Sequence, residues 1–237
     1  MKKELLVASA FAAFAALGAD TTVVTSNEMG FVPVSSALAK AEGMYLVTAP
    51  FSGYEGGNIK VADFLQTANL AENDELFIPN GAGYDNYKLN ASKVWEPVQK
   101  CTISGGEVKT VDGMPATDAT VARGTGFFVK TSAAQINLFG NAEKTPQQLT
   151  VTGWKLIGST IIPASDIAVT SLGGGNGDMI ILADGTKYQY KSSAWKKYVA
   201  TVEAGQSHWT DATDDTIPAG VAFWYNAAGD AERKLTF

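Results

Sequence analysis

The residues best suited to chemistry lie close together near the end of the chain. His208 is the single histidine of the sequence, Trp209 follows it directly, and Asp211, Asp214 and Asp215 lie just beyond. A histidine oriented by a carboxylate is the arrangement of a general base. Serine nucleophiles are present, but none stands in a Gly-x-Ser-x-Gly elbow. A hydrolase is therefore the least favoured of three interpretations of this chain.

Aromatic residues suggest a second kind of site. Trp209 lies in a run of polar residues typical of a loop, where the flat apolar face of a tryptophan can stack on a pyranose ring. Together with His208, Tyr84 and Tyr87, it forms the candidate ligand-binding set of a carbohydrate-binding module. The structural alternative for Trp209 is a loop residue that covers a sheet edge.

Metal and thiol chemistry find little support in the sequence. The oxygen-rich segments 173–178 and 211–215 suit Ca2+, which takes about six to eight oxygen ligands, but neither matches a known calcium loop. No cofactor is predicted, and Ca2+ stays open. The single cysteine, Cys101, excludes an intramolecular disulfide and a cysteine-rich zinc site, and a buried or incidental thiol is favoured over a reactive one. The glycine run 173–175 lacks the lysine of a phosphate-binding loop.

The overall charge argues against nucleic acid as a partner. The 237 residues carry 18 Lys and Arg against 24 Asp and Glu, which leaves a net charge of -6. The two arginines, Arg123 and Arg233, lie far apart in sequence, whereas phosphate contacts need clustered cations. Hydrophobic residues make up 46% of the chain, which is enough to form a packed core.

The N-terminus has the pattern of a secretory signal peptide. Lys2 and Lys3 precede the apolar run 5–17, and the small residues Gly18 and Ala19 follow it. We predict a signal peptide over 1–19 and an extracellular or cell-surface location. The run is shorter than the roughly 20 residues of a spanning helix, and no later stretch is long and apolar enough. The mature chain is therefore predicted to have no membrane span.

The chain contains an internal duplication. Gly43 and Gly153 begin similar segments 110 residues apart, and Gly124 and Gly220 lie in similar segments 96 residues apart. Connections that are a few residues shorter in the second copy explain the change in separation. We predict two β-rich repeats, 20–141 and 142–237. The matching segments are 43–47 with 153–157, 73–78 with 177–182, 87–88 with 190–191, 93–98 with 193–198, and 121–129 with 217–225.

Short apolar runs separated by turn residues predict an all-β fold with a minor helix. Turns recur about every ten residues, which is typical of a sandwich or barrel. The sequence thus predicts two tandem, internally duplicated β-sandwich or barrel-like lobes, a short helix over 61–70 and a tight hairpin at Asp184-Gly185. Four tryptophans have bulky counterparts in the other copy and are predicted to pack in the core: Trp95, Trp154, Trp195 and Trp224.

Two motifs in the second copy resemble those of a loosely defined group of uncharacterised secreted bacterial proteins. The chain reads Gly-Trp-Lys-Leu-Ile-Gly at 153–158 and Ile-Pro-Ala-Gly-Val-Ala-Phe-Trp at 217–224. Members of that group carry duplicated β-rich modules with these openings and endings after a signal peptide. The first copy departs from the pattern, with Met44 for the tryptophan and Ala122 for the proline. The resemblance implies a fold and an exported chain, and it transfers no catalytic residues.

Taken together, these features favour a secreted or cell-surface, non-enzymatic β protein with a structural or adhesive role. Its partners would be other copies of itself or surface polymers and glycans. The segment 21–25, Thr-Thr-Val-Val-Thr, could add a strand to another subunit. The alternative is an extracellular carbohydrate-binding module that uses exposed aromatic residues.

Overall fold

The computed structural model describes most of the chain after residue 28. The residues described are 29–35, 40–41, 43–51, 58–80, 83–98, 100–104, 107–111, 120–141, 148–158, 166–203, 205–229 and 231–236. Within these ranges the chain forms 22 strands, one short α-helix and one 3-10 turn, which confirms the all-β class. The predicted signal peptide and the segment 21–25 lie outside the described residues.

The first half contains twelve strands within the described ranges. The helix α1 (Val61–Phe64) directly follows β4. The strands are β1 (Met29–Ser35), β2 (Lys40–Ala41), β3 (Met44–Thr48), β4 (Ile59–Lys60), β5 (Glu75–Pro79), β6 (Tyr84–Leu89), β7 (Trp95–Pro97), β8 (Lys100–Ser104), β9 (Glu107–Val111), β10 (Thr120–Val121), β11 (Gly126–Lys130) and β12 (Gln135–Asn141).

The second half contains the other ten strands. A 3-10 turn (Val169–Ser171) occupies the place that α1 has in the first half, directly after a two-residue strand. The strands are β13 (Gln148–Val151), β14 (Gly153–Gly158), β15 (Ile167–Ala168), β16 (Met179–Ile181), β17 (Lys187–Lys191), β18 (Ala194–Tyr198), β19 (Trp209–Asp211), β20 (Thr216–Ile217), β21 (Ala222–Ala227) and β22 (Arg233–Thr236).

The two halves share one strand order. The main antiparallel sheet of the first half runs β2-β3-β11-β5-β6-β7, and that of the second half runs β14-β21-β16-β17-β18-β19. Setting β2 and β19 aside, the other five strands of each main sheet correspond one to one. Each half adds two corresponding ribbons, β1 with β12 and β4 with β10 in the first, and β13 with β22 and β15 with β20 in the second, and the first half also has a hairpin of β8 with β9. This common order confirms the internally duplicated fold.

The strand register corrects one of the sequence matches. Leu76 pairs with Tyr87, and the equivalent Ile180 pairs with Tyr188, so Tyr87 corresponds to Tyr188 and not to Tyr190. Tyr87 and Tyr188 are 3% and 2% exposed and fill the same place in each core. The match to Tyr190 was wrong because the connection between these strands is shorter in the second half. The hairpin predicted at Asp184-Gly185 forms this connection, with Gly185 N donating to Leu182 O at 3.0 Å.

Each half builds its own core on the inner face of its main sheet. Side chains alternate between the faces of a strand, so every second residue points into this core. Trp95 and Trp195 are buried there as predicted, at 3% and 2% exposure. The largest fully buried side chains are Tyr45, Phe51, Phe64, Phe127, Tyr188, Phe223 and Tyr225.

The predicted helix over 61–70 is shorter than expected. It spans Val61–Phe64, and Leu65 then forms a bridge with Leu138 of β12. Gln66 N donates to Asn137 O at 3.0 Å, so the backbone after α1 pairs with a strand instead of continuing the helix. Phe64 anchors α1 through an edge-to-face contact with Phe127, at 5.4 Å between ring centroids.

The halves meet through a reciprocal contact. Thr48 N donates to Gly220 O at 3.0 Å, and Gly158 N donates to Gly124 O at 3.1 Å. Thr48 corresponds to Gly158 in the duplication, and Gly220 corresponds to Gly124. The same bond is therefore made twice, once in each direction, as in the two-fold interface of a homodimer.

A third apolar cluster lies between the outer faces of the two sheets. It buries Leu46 with its counterpart Leu156, together with Ala183 and Ala222, and Phe128 and Trp224 pack against it. The halves therefore share buried surface. The boundary predicted between 141 and 142 stays a prediction, since the adjoining segment 142–147 lies outside the described residues.

Candidate functional site

The main sheets of the two halves differ at one edge, where the first sheet has the additional strand β2 beside β3. In the first half, β2 pairs with β3 through Ala41 opposite Met44 and Lys40 opposite Tyr45. In the second half, Thr152 alone separates β13 from β14, so the chain has no length for an equivalent strand. Among the described residues, the edge of β14 that corresponds to Met44 and Tyr45 therefore has no neighbouring strand.

Trp154 occupies this open edge. The sequence predicted a core tryptophan because Met44 is its counterpart, and this prediction was wrong: Trp154 is 50% exposed. Its environment is set by the missing strand and not by the residue type. The signal that could have revealed this was the loop length, eight residues between β1 and β3 against one between β13 and β14.

A groove of about 510 Å³ runs beside this edge. Trp154, Leu156 and Trp224 form apolar parts of its lining, and Gly124 and Thr125 of the first half contribute to its other side. The groove therefore lies at the junction of the two halves, where β14 passes the turn before β11.

The backbone of β14 presents hydrogen-bonding groups to the groove. Gly158 N points away from β21, because it donates to Gly124 O in the other half. Backbone groups alternate in direction along an antiparallel strand, so Leu156 and Trp154 also direct theirs away from β21. Within the described residues, the open edge thus combines backbone groups that have no strand partner with the exposed ring of Trp154.

An aromatic row continues from the groove over the outer face of the first sheet. Trp224 lies 6.2 Å from Phe128, and Phe128 lies 5.4 Å from Tyr84 in an edge-to-face contact. Tyr84 is 42% exposed, and its partial burial raises the pKa of its hydroxyl. This predicted ligand-binding residue is therefore on the surface, at the end of the row.

Tyr87 lies on the opposite face of β6 from Tyr84. It is 3% exposed and belongs to the core of the first half. Burial, with a smaller contribution from the Asp85 charge, raises the pKa of its hydroxyl. The structure therefore does not bring Tyr84 and Tyr87 together at one surface.

The structure does bring His208 and Trp209 together, in an aromatic cluster at the far edge of the second sheet. Tyr198 stacks on His208 at 5.6 Å and meets Trp209 edge-to-face at 5.3 Å. The Lys191 ammonium lies 4.3 Å from the Trp209 ring centroid. One face of Trp209 is thus in contact with a cation, and Tyr198 is 42% exposed.

His208 is not held by the carboxylates that follow it. Its Nδ1 lies 2.8 Å from Val199 O, so this nitrogen is the donor. Asp211 instead pairs with Lys196 at 2.5 Å, and Asp215 pairs with Lys197 at 2.8 Å. In the described part of the chain, no group of three or more His, Cys, Asp or Glu side chains is placed to hold a metal ion.

Asp178, in the other oxygen-rich segment, is fully buried and bound by the protein itself. Its Oδ2 accepts from Arg233 Nε at 2.7 Å, Tyr225 Oη at 2.8 Å and Gly175 N at 2.7 Å, and its Oδ1 accepts from Ala228 N at 2.8 Å. Burial alone would raise the pKa of this carboxyl, but these hydrogen bonds, that of Arg233 first, outweigh it and lower the pKa.

Asp178 and its counterpart Asp74 lie in the same turn of the two halves, since Asp178 N donates to Gly175 O and Asp74 N donates to Ala71 O. Asp74 also accepts from Ala71 N at 2.8 Å, as Asp178 accepts from Gly175 N. Close packing explains two glycines of the run, because a Cβ on Gly174 would overlap the Tyr190 ring and a Cβ on Gly175 would overlap the Arg233 guanidinium. The only cysteine, Cys101, lies in β8, and its reactivity stays a prediction.

Comparisons with known proteins do not identify a relative. No protein-family model, no curated protein and no solved structure matches the chain. Among the described residues, the structure has no helix with the length and apolar character needed to cross a membrane.

Proposed function

We propose that this chain is an exported, non-enzymatic β protein with a structural or adhesive role outside the cell or at its surface. It binds other copies of itself or surface polymers. The observation that carries the proposal is the open edge of β14, where Trp154 is 50% exposed beside the groove. Unpaired strand edges accept further strands, and proteins that stay monomeric usually cover or charge them. An exposed aromatic ring adds apolar contact area.

A non-enzymatic role is supported by the contacts of the acidic and histidine side chains that hydrolysis would use. Asp211 and Asp215 bind lysines, and Asp178 binds Arg233. His208 contacts a backbone carbonyl and the Tyr198 ring. In a Ser-His-Asp triad the histidine donates this bond to a carboxylate instead.

The mass of the chain 20–237 in solution tests the proposal. We expect light scattering to show a mass that rises with concentration, and negative-stain images to show defined oligomers or filaments. Adding Ca2+ or a chelator should leave the mass unchanged, because lysine or arginine already binds the carboxylates of Asp178, Asp211 and Asp215. A monomer at every concentration would contradict the proposal.

Export is tested separately by N-terminal sequencing. The secreted or surface-associated protein should begin at Asp20, after removal of the predicted signal peptide 1–19. A chain recovered only inside the cell and still beginning at Met1 would contradict export while leaving self-association open.

A carbohydrate-binding module is the second candidate, and the aromatic row from Trp154 through Trp224 and Phe128 to Tyr84 favours it. A glycan array compares the chain with Trp154→Ala and Trp209→Ala. Loss of a sugar signal with Trp154→Ala alone would assign binding to the groove. If Trp209→Ala leaves every sugar signal intact, the assignment to His208 and Trp209 is wrong.

A further inference from the structure

We propose that the groove beside β14 binds the segment 20–28 of a second copy of the chain, as an added antiparallel strand. The segment precedes β1 and lies outside the described residues. This inference rests on the proposed self-association and deepens it by naming the two surfaces that meet.

The duplication itself indicates that a strand belongs at this edge. Met44 and Tyr45 of β3 pair with β2, and Trp154 and Lys155 are the corresponding residues of β14. Among the described residues, the same fold therefore covers this edge with a strand from its own chain in one half and leaves it uncovered in the other. An added strand would complete the second half in the way that β2 completes the first.

The length of the segment suits the edge. Four residues, 153–156, separate the start of β14 from the bridge that joins Ile157 to Thr125. At about 3.3 Å per residue these span roughly 13 Å. The nine residues of 20–28 can extend to about 30 Å, so enough chain remains to connect the added strand to β1 of the donor.

The composition of the segment also suits the edge. Residues 21–25 are five consecutive β-branched residues, which favour extended backbone. The segment carries two acidic side chains, Asp20 and Glu28, and no basic side chain, so its net charge stays negative even with the α-amino group at the start of the chain 20–237. Lys155 lines the groove, and no carboxylate is among the described residues that line it. The charges of segment and groove are therefore complementary.

The position of β1 favours a segment from another copy over the chain's own. Val32 and Val34 of β1 lie over Gly220. The groove instead adjoins Gly124, the residue that corresponds to Gly220 on the opposite side of the reciprocal contact. The chain's own N-terminal strand is thus committed to the other side of the junction, and a second copy is the source of the added strand.

A complementation experiment tests this with the chain 20–237. Val23→Pro removes a backbone donor and disfavours a strand in the segment, so this variant keeps the groove but cannot donate. Trp154→Thr with Lys155→Glu alters the groove but keeps the segment. Trp209→Thr, at the opposite edge of the same sheet, is the matched control. Circular dichroism checks that all variants fold.

We expect the Val23→Pro chain and the groove variant each to associate at least about tenfold more weakly than the parent. Their mixture should form a 1:1 pair, because one chain has the intact segment and the other has the intact groove. The Trp209→Thr control should associate like the parent.

Three outcomes would overturn the inference. If the parent associates and Val23→Pro associates equally, self-association stands but the segment is not the donor. If the groove variant alone is impaired and the mixture forms no pair, the groove takes another occupant, such as a polysaccharide. If the parent is monomeric throughout, the proposed function fails and this inference fails with it.

Discussion

The Asp178 carboxylate accepts hydrogen bonds from the side chains of Arg233 and Tyr225 and from two backbone N–H groups, at 0% exposure. These contacts join the turn before β16, the end of β21 and the start of β22. A buried carboxylate is tolerated only when it is paired and hydrogen-bonded in this way. At the residue scale, the acids that suggested chemistry in the sequence therefore stabilise the fold.

Replacing Asp178 should be costly. Asp178→Asn leaves the Arg233 guanidinium without its buried partner, and we expect the free energy of unfolding to fall by about 3 to 5 kcal/mol in urea titrations. Asp211→Asn is the control, because that carboxylate is 64% exposed in its ion pair, and the change should stay below about 1 kcal/mol. Equal losses in both variants would contradict a structural role for Asp178.

The pH dependence of the same pair follows from the lowered pKa of Asp178. The stabilisation is complete above the unfolded-state pKa of about 4 and is lost as the pH falls through the lower folded-state value. The difference between the parent and Asp178→Asn should therefore shrink below about pH 4. A difference that stays constant down to the acid transition would show that the ionised carboxylate is not the cause.

At the scale of elements, the junction between the sheets depends on close approach of β14 to the end of β3. A Cβ on Gly158 would lie 2.6 Å from Thr48 Cβ and 2.9 Å from Val221 O. The reciprocal hydrogen bonds between the halves need this approach, since Gly158 N also donates to Gly124 O.

The length of helix α1 is also decided by contacts between elements, because the backbone after α1 pairs with β12 instead of forming another helical turn.

Gly158→Ala should weaken the junction. The added methyl group meets a backbone oxygen that cannot move away, and we expect a loss of roughly 1 to 3 kcal/mol in the free energy of unfolding. Gly83→Ala is the matched control, because nothing lies within 4 Å of its Cβ position and no positive φ is required there. Chemical denaturation of both variants measures the difference. A loss no larger at Gly158 than at Gly83 would mean that the strands can separate without cost.

At the scale of the whole molecule, the two halves resemble a homodimer joined in one chain. Leu46 of the first half and Leu156 of the second are buried in the same apolar cluster between the two sheets. Val221 of the second half is buried with the core of the first. Two cores that share a buried boundary are expected to unfold together.

Calorimetry tests this cooperativity. The chain 20–237 should show one thermal transition, with the calorimetric enthalpy equal to the van't Hoff enthalpy. Leu46→Ala should lower that single transition temperature, since it removes packing that both halves use, at about 2 to 5 kcal/mol. Two resolved transitions, with only one of them shifted by Leu46→Ala, would show that the halves are independent.

The sequence by itself determined the all-β class, the duplication, the hairpin at Asp184-Gly185 and the burial of Trp95 and Trp195. These features follow from the local periodicity of apolar residues and from turn residues, which each segment contains and which recur in both copies. The tertiary structure alone decided that Tyr87 is buried, that His208 contacts a carbonyl and that Trp154 is exposed. The exposure of an edge residue depends on whether a distant part of the chain pairs with it. Trp154 and Met44 occupy the same place in the repeat, and they differ because, in the part of the chain that the structure describes, only Met44 has a further strand alongside.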